Sequence, residues 1–149
     1  INKILLNLNK MGLRTQIKNE NDNIDEHSEI VLINYYGAVF KYYKNFKQIF
    51  IGKSLMKKLE NDSGQNPIDA ARMGCFIFHG PYVSNFREIY EFLDSENISS
   101  SIDDKDVLAK KLINNFNLNY ENNNKTDKLN EYSEEIFHKL IHEYESIIR

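Results

Sequence analysis

The sequence predicts an α/β fold in which a parallel β-sheet is flanked by helices. Short apolar runs alternate along the chain with segments of helical periodicity, and the connections between them are short. Such alternation is typical of parallel strands joined by crossover helices. The runs Ile30–Ile33 and Cys75–Phe78 contain no polar residue, as in strands that are buried on both faces. With 149 residues, of which 41% are hydrophobic, the chain is long enough to bury one such core.

The first half of the chain is predicted to contain two helices and three strands. Apolar residues at short intervals from Ile1 to Leu13 favour an amphipathic helix that ends at Gly12. An acidic, polar stretch over residues 19–29 is predicted to be a surface loop. In order, the elements are the helix before Gly12, strands at 14–17 and 30–33, a helix from Gly37 to about Asn45, and a strand at 48–52.

The second half continues the alternation and ends in a long helix. Asp103 followed by Asp106 resembles a capping box, which predicts a helix that continues to about Phe116. We predict a domain over residues 1–116, a linker over 117–125 and a C-terminal helix over 126–149. Before the capping box come a polar loop at 57–65, helices at 67–73 and 85–93, a strand at 75–78 and a weak edge strand at 98–102. The apolar face of the last helix consists of Leu129, Tyr132, Ile136, Leu140, Tyr144 and Ile147.

Charge and composition exclude several functional classes. The 19 basic and 22 acidic residues give a net charge of -3, which argues against a protein that binds nucleic acid by neutralising phosphates. Cys75, the single cysteine, cannot form an internal disulfide or a thiolate zinc site alone. His138 and His142 lack the further ligands of a known metal motif, so we predict no metal site. The chain starts at Ile1 rather than Met, and we expect it to be a piece of a longer protein.

Glycine and proline cluster where the predicted strands end. Five of the six glycines and both prolines lie between positions 37 and 81. Ligands of open parallel sheets bind at the carboxyl ends of the strands. Within the cluster, Asn66 is a favoured N-cap, Pro67 suits the first helical position, and Asp69 stands at the third position, from which it can cap back. The free N–H groups at this helix terminus therefore suit an anion, and the acidic residue suits the ribose hydroxyls of a nucleotide. The alternative is a well-capped helix without a ligand.

Several segments together resemble the carboxyl-terminal domain of 3-deoxy-D-manno-octulosonic acid (Kdo) transferases. They are Ile51-Gly-Lys-Ser-Leu55, Gly64-Gln-Asn-Pro-Ile-Asp69 and Gly80-Pro-Tyr-Val-Ser-Asn-Phe86, preceded by Asn34-Tyr-Tyr-Gly-Ala-Val39. They occur in the order seen in that family, and the resemblance covers about residues 12 to 115. It implies a Rossmann-like domain, the second of the two domains of a GT-B glycosyltransferase.

The resemblance also implies a reaction and a set of partners. The parent enzyme would transfer Kdo from CMP-Kdo to the lipid A precursor in lipopolysaccharide biosynthesis, at the cytoplasmic face of the inner membrane. In the family the catalytic base and the membrane anchor belong to the first domain. We therefore expect no catalytic residue, no cofactor and no transferase activity in this chain alone. The residues expected to contact the CMP moiety are Tyr36, Gly37, Ala38, Asn66, Pro67, Ile68 and Asp69.

Several positions depart from the family pattern. Ala38 and Asp69 both stand where Glu is usual, Lys53 where a second Gly is usual, and Tyr82 where His is usual. These departures leave two alternatives open: a GT-B transferase for a different nucleotide sugar, and a non-catalytic α/β interaction module. For His79, at the end of a predicted strand, we favour ordinary packing over a place in the ligand pocket.

Overall fold

The computed structural model describes residues 1–62, 64–116 and 125–148, and it confirms the predicted alternation of helices and strands. The strands are β1 (Thr15–Lys18), β2 (Ile30–Ile33), β3 (Gln48–Phe50), β4 (Phe76–His79) and β5 (Ser99–Ser101). The helices are α1 (Asn2–Lys10), α2 (Val39–Tyr43), α3 (Ile68–Arg72), α4 (Arg87–Ser95), α5 (Lys105–Phe116) and α6 (Lys125–Ile148).

The chain forms two compact units, Ile1–Tyr42 and Tyr43–Arg149. In the first unit β1 and β2 pair in parallel, with Thr15 opposite Ile30. In the second unit three parallel strands lie in the order β3-β4-β5, and Ile77 at the centre is paired on both sides. Every strand pairing among the described residues is therefore parallel, as the α/β class requires. The hydrophobic pattern predicted parallel strands but not their division into a pair and a group of three.

The core of the second unit surrounds β4. Ile77 and Phe78 have no exposed surface, which agrees with the prediction of a strand buried on both faces. Leu93 and Tyr90 of α4 are buried against the same core. At the edge, β5 consists of three serines that pair with β4 through their backbones. The burial of the apolar central strand thus stabilises the sheet, and the polar edge strand is held to it by backbone hydrogen bonds.

One polar stretch is more ordered than the sequence suggested. Residues Lys57–Asp62, predicted as part of a loop, form a short 3₁₀ helix. The N–H of Leu59 donates to the carbonyl of Met56 at 2.9 Å within this turn. A single 3₁₀ turn needs no apolar periodicity, so the pattern that predicts longer helices does not detect it.

The N-terminus of α5 corrects another prediction. The capping residue is Asp104 and not Asp103, because Asp104 Oδ1 accepts hydrogen bonds from the N–H groups of Asp106 and Val107 at 2.7 and 2.9 Å. These two hydrogen bonds hold the pKa of the Asp104 carboxyl below its usual value. Asp106 therefore lies two residues after the cap rather than three, so the predicted capping box is wrong.

The predicted apolar face of α6 is buried over its first turns only. Leu129 is 2% exposed, and the ring of Tyr132 stacks on that of Phe92 with centroids 4.0 Å apart. Farther along, Leu140 and Tyr144 are 58% and 65% exposed. Among the described residues, no helix combines the length and the apolar character that a bilayer span requires. Apart from Lys125, the predicted linker lies outside the described residues.

Candidate functional site

Loops that follow β3 and β4 are joined at the carboxyl edge of the three-stranded sheet by Ser54. This serine is fully buried, and its Oγ donates to the carbonyl of Ile51 at 2.6 Å. The same Oγ accepts from the N–H of Gly80 at 2.9 Å. The carbonyl of Ser54 in turn accepts from the N–H of Tyr82 at 2.9 Å. Both loops are therefore fixed to each other by hydrogen bonds that end on one residue.

The backbone at Gly80 approaches that of Ser54 so closely that no side chain fits between them. A Cβ atom added to Gly80 would lie 2.1 Å from the carbonyl oxygen of Ser54. This distance is far below van der Waals contact, so glycine is required here for close approach and not for an unusual backbone angle.

A third segment, which leads into α3, is attached to the same loops. The N–H of Gly64 donates to the carbonyl of Lys53 at 3.1 Å. The hydroxyl of Tyr90 donates to the carbonyl of Gln65 at 2.9 Å, and burial raises the pKa of that tyrosine well above its usual value. Gly64 has a φ of +75°, which a glycine adopts without strain. Three segments that are distant in sequence thus meet at one edge of the sheet, as ligand sites of parallel sheets do.

At the start of α3 the structure confirms a hydrogen bond between the side chain of Asn66 and the helix, but the helix begins at Ile68, so Pro67 and not Asn66 is the residue directly before it. The side-chain Oδ1 of Asn66 accepts from the N–H of Ile68 at 2.9 Å. Pro67 adopts helical angles, and its carbonyl accepts from the N–H of Ala71 at 3.0 Å. Asp69 lies exposed in the first turn. The four predicted contact residues of this segment therefore form one turn, and its carboxylate is open to a ligand.

The other predicted contact segment lies in the first unit, directly after β2. Tyr36 is fully exposed, and Gly37 has a φ of +79°. Ala38 is 3% exposed, and its carbonyl accepts from the N–H of Lys41 at 3.1 Å at the start of α2. Within this unit, Tyr36 offers a side chain to a ligand, and the buried side chain of Ala38 does not.

His79, at the end of β4, is packed, and each of its ring nitrogens lies within hydrogen-bond distance of an acceptor oxygen. Its ring is 4% exposed; Nε2 lies 3.2 Å from Asp94 Oδ1, and Nδ1 lies 2.8 Å from the carbonyl oxygen of Gly80. Both partners accept hydrogen bonds, so the ring donates to both only when it is doubly protonated. Ser99 also donates to Asp94. Burial alone would raise the pKa of the Asp94 carboxyl, but the hydrogen bonds from His79 and Ser99 outweigh it and lower that pKa.

Asp94 and the cluster around it border a cavity of about 280 Å³ beside the end of β4. The sequence analysis singled out neither Asp94 nor the individual role of Ser54. Asp94 carries a signal that was available, because it lies one helical turn after the buried Tyr90 and so places an acid on the apolar face of α4. For Ser54 no such signal exists, because serine is common in loops after strands and its presence there does not indicate a buried contact. The cavity is lined by His79, Pro81, Val83, Arg87, Tyr90, Glu91, Asp94 and Ser101.

The fold and the site define a class of protein. This is a parallel α/β domain whose glycine-containing loops meet at the carboxyl edge of its sheet, the usual location of nucleotide sites. Among solved structures the chain is similar to the C-terminal CMP-Kdo binding domain of WaaA from Acinetobacter baumannii, with a TM-score of 0.70 and 14% sequence identity. The match covers 87% of this chain but 66% of that one, so this chain spans slightly less than two thirds of its neighbour.

The comparison confirms the α/β fold that the resemblance to Kdo transferases implied, and the structure contains the long C-terminal helix that the apolar periodicity predicted. No protein-family model matches the sequence. A search of curated proteins gave no significant match.

Proposed function

We propose that this chain is the donor-binding domain of a glycosyltransferase whose donor is CMP-Kdo. The observation that supports this most strongly is a coincidence of two independent features. Three of the four segments that resemble Kdo transferases, 51–55, 64–69 and 80–86, are the segments that meet at the carboxyl edge of the sheet. The solved domain of similar fold is a CMP-Kdo binding domain by its name.

Within this proposal the turn from Asn66 to Asp69 binds the CMP moiety. The exposed carboxylate of Asp69 accepts hydrogen bonds from the ribose hydroxyls, since a carboxylate beside the phosphate would repel it. In the first unit, taken by itself, Tyr36 presents an exposed ring and Gly37 an open backbone to a ligand. Ala38 contributes backbone only, because its side chain is buried.

The parent enzyme would then move Kdo from CMP-Kdo to the lipid A precursor at the inner membrane. The acceptor hydroxyl would be activated by a base in another domain, with no metal or cofactor in this one. We therefore expect the chain to bind donor without turning it over. Turnover of CMP-Kdo and lipid A precursor by the purified chain would contradict this division of labour.

The decisive measurement is calorimetric titration of the chain with CMP, compared with UMP and AMP. We expect CMP to bind most tightly. Asp69→Ala should weaken CMP binding about ten- to a hundredfold, because a hydrogen bond to a charged group contributes roughly 1.5–3 kcal/mol. Asp69→Asn keeps the shape and tests the charge alone. Asp127→Ala, which removes an exposed carboxylate in the first turn of α6, serves as the matched control and should bind CMP as the parent does.

Each alternative has its own outcome in this experiment. Tighter binding of UMP or AMP would indicate a transferase for a different nucleotide sugar. Absence of binding to any nucleotide would favour the interaction module. If Asp69→Ala melted at a lower temperature yet bound CMP unchanged, the turn from Asn66 to Asp69 would be a capped helix and not a binding segment.

A further inference from the structure

Lys53, in the loop after β3, has a backbone conformation that lysine rarely adopts. Its φ is +59°, and among the described non-glycine residues only Asn97 shares a positive φ. Asparagine tolerates this region because its short side chain bonds locally. The lysine side chain offers no such local hydrogen bond, so this conformation destabilises the folded state, whereas a glycine would adopt it without strain.

The neighbours of Lys53 hold it in this conformation. Its carbonyl accepts the hydrogen bond from Gly64, at 3.1 Å. The next residue, Ser54, is fully buried and bonded to Gly80 at 2.9 Å. The backbone of Lys53 is therefore fixed at the meeting point of the three loops, while the residue itself is exposed.

The charge of Lys53 is available to a ligand. Across residues 1–62, 64–116 and 125–148, no carboxylate forms an ion pair with its ammonium group. Lys53 is also the sole cationic residue in the joined segments 51–55, 64–69 and 80–86. Asp69 carries a negative charge that disfavours a phosphate near it, and a cation at the same edge of the sheet would offset that repulsion.

We propose that the ammonium group of Lys53 binds the phosphate of the donor nucleotide. This inference rests on the proposed function and assigns the phosphate to the loop after β3. The strain at Lys53 is then retained because its side chain acts in binding, as strained residues in other ligand sites do. A lysine suits the task because its ammonium group binds phosphate as a point charge.

Affinities for CMP and for cytidine, measured together with melting temperatures, test the proposal. Lys53→Gln should weaken CMP binding at least about tenfold and leave cytidine binding unchanged, because cytidine lacks the phosphate. Lys53→Gly should weaken CMP binding equally and raise the melting temperature, because glycine adopts the positive φ without strain. Lys57→Gln, in the exposed 3₁₀ helix, is the matched control and should change neither quantity.

Equal CMP affinity in Lys53→Gln and the parent would overturn the assignment while leaving the proposed function intact. A loss of cytidine affinity as large as the loss of CMP affinity would also overturn it, because the phosphate would then not be the group that Lys53 binds. If the parent bound neither CMP nor cytidine, the proposed function would fail and the assignment with it.

Discussion

Gly80 shows how a single missing side chain allows two loops to meet. A methyl group at this position would lie 2.1 Å from the carbonyl oxygen of Ser54, a backbone atom that cannot move without breaking its bond to Tyr82. We expect Gly80→Ala to lower the free energy of unfolding by about 3 kcal/mol or more, at the upper end for overpacking. Urea denaturation measures the effect.

Gly52 supplies the control for Gly80. It follows β3 in the same loop as Ser54, and a Cβ added there would meet nothing within 4 Å. Gly52→Ala should therefore change the free energy of unfolding by less than about 0.5 kcal/mol. If the two alanine variants unfolded at the same urea concentration, the close approach at Gly80 would not be a packing requirement.

At this scale the sequence predicted some contacts and not others, for a physical reason. The cap at Asn66 was predictable because it depends on residues two positions apart, and its bond to Ile68 was found. The role of Ser54 depends on Gly80, which is 26 positions away. Local propensity contains no information about a contact between positions so far apart, so the interlocking of the loops required the structure.

At the scale of elements, the start of α5 shows that only one of two adjacent aspartates, Asp104, caps the helix. Asp104 accepts two backbone hydrogen bonds, and Asp103 accepts neither of them. Loss of an N-cap is destabilising, so Asp104→Ala should lower the melting temperature by roughly 2–5 °C. Asp103→Ala should leave it unchanged. Calorimetry on both variants measures this, and the reverse order would restore Asp103 as the capping residue.

Elements were predictable wherever one physical signal dominated. The apolar run at 75–78 predicted β4 within one residue, because a strand buried on both faces must be apolar throughout. The boundary of α5 was wrong by one residue because Asp103 and Asp104 have the same capping propensity, and only the backbone geometry selects between them. The 3₁₀ turn at 57–62 has no comparable signal.

At the scale of the whole molecule, the bonds to Asp94 join α4, β4 and β5 and make stability depend on pH. The pKa of Asp94 is below its ordinary value of 3.8 in the folded protein. Its contribution to stability is therefore fully present about one pH unit or more above 3.8, where the carboxyl of the unfolded chain is also ionised. It is lost as the pH falls through the lowered pKa, because the unfolded state then binds more protons.

Asp94→Asn tests this dependence. At pH 7 we expect it to lower the free energy of unfolding by about 1–2 kcal/mol, near the lower end for bonds to charged groups because the side chain is 36% exposed. Below pH 4 the stability of the variant should fall less steeply than that of the parent. Asp103→Asn, at an exposed position, is the control. Parallel stability curves for parent and Asp94→Asn from pH 2 to 7 would contradict the argument.

The junction at Ser54 limits how this sequence can change over evolutionary time. A side chain could appear at position 80 only if the backbone of residue 54 moved away, and that movement would release Gly80 and Tyr82 together. Substitutions at the two positions are therefore expected to be coupled across descendants of this gene. Lys53, whose side chain is exposed, is free of that coupling. Selection can thus alter the exposed residue of the loop while its neighbour keeps the architecture constant.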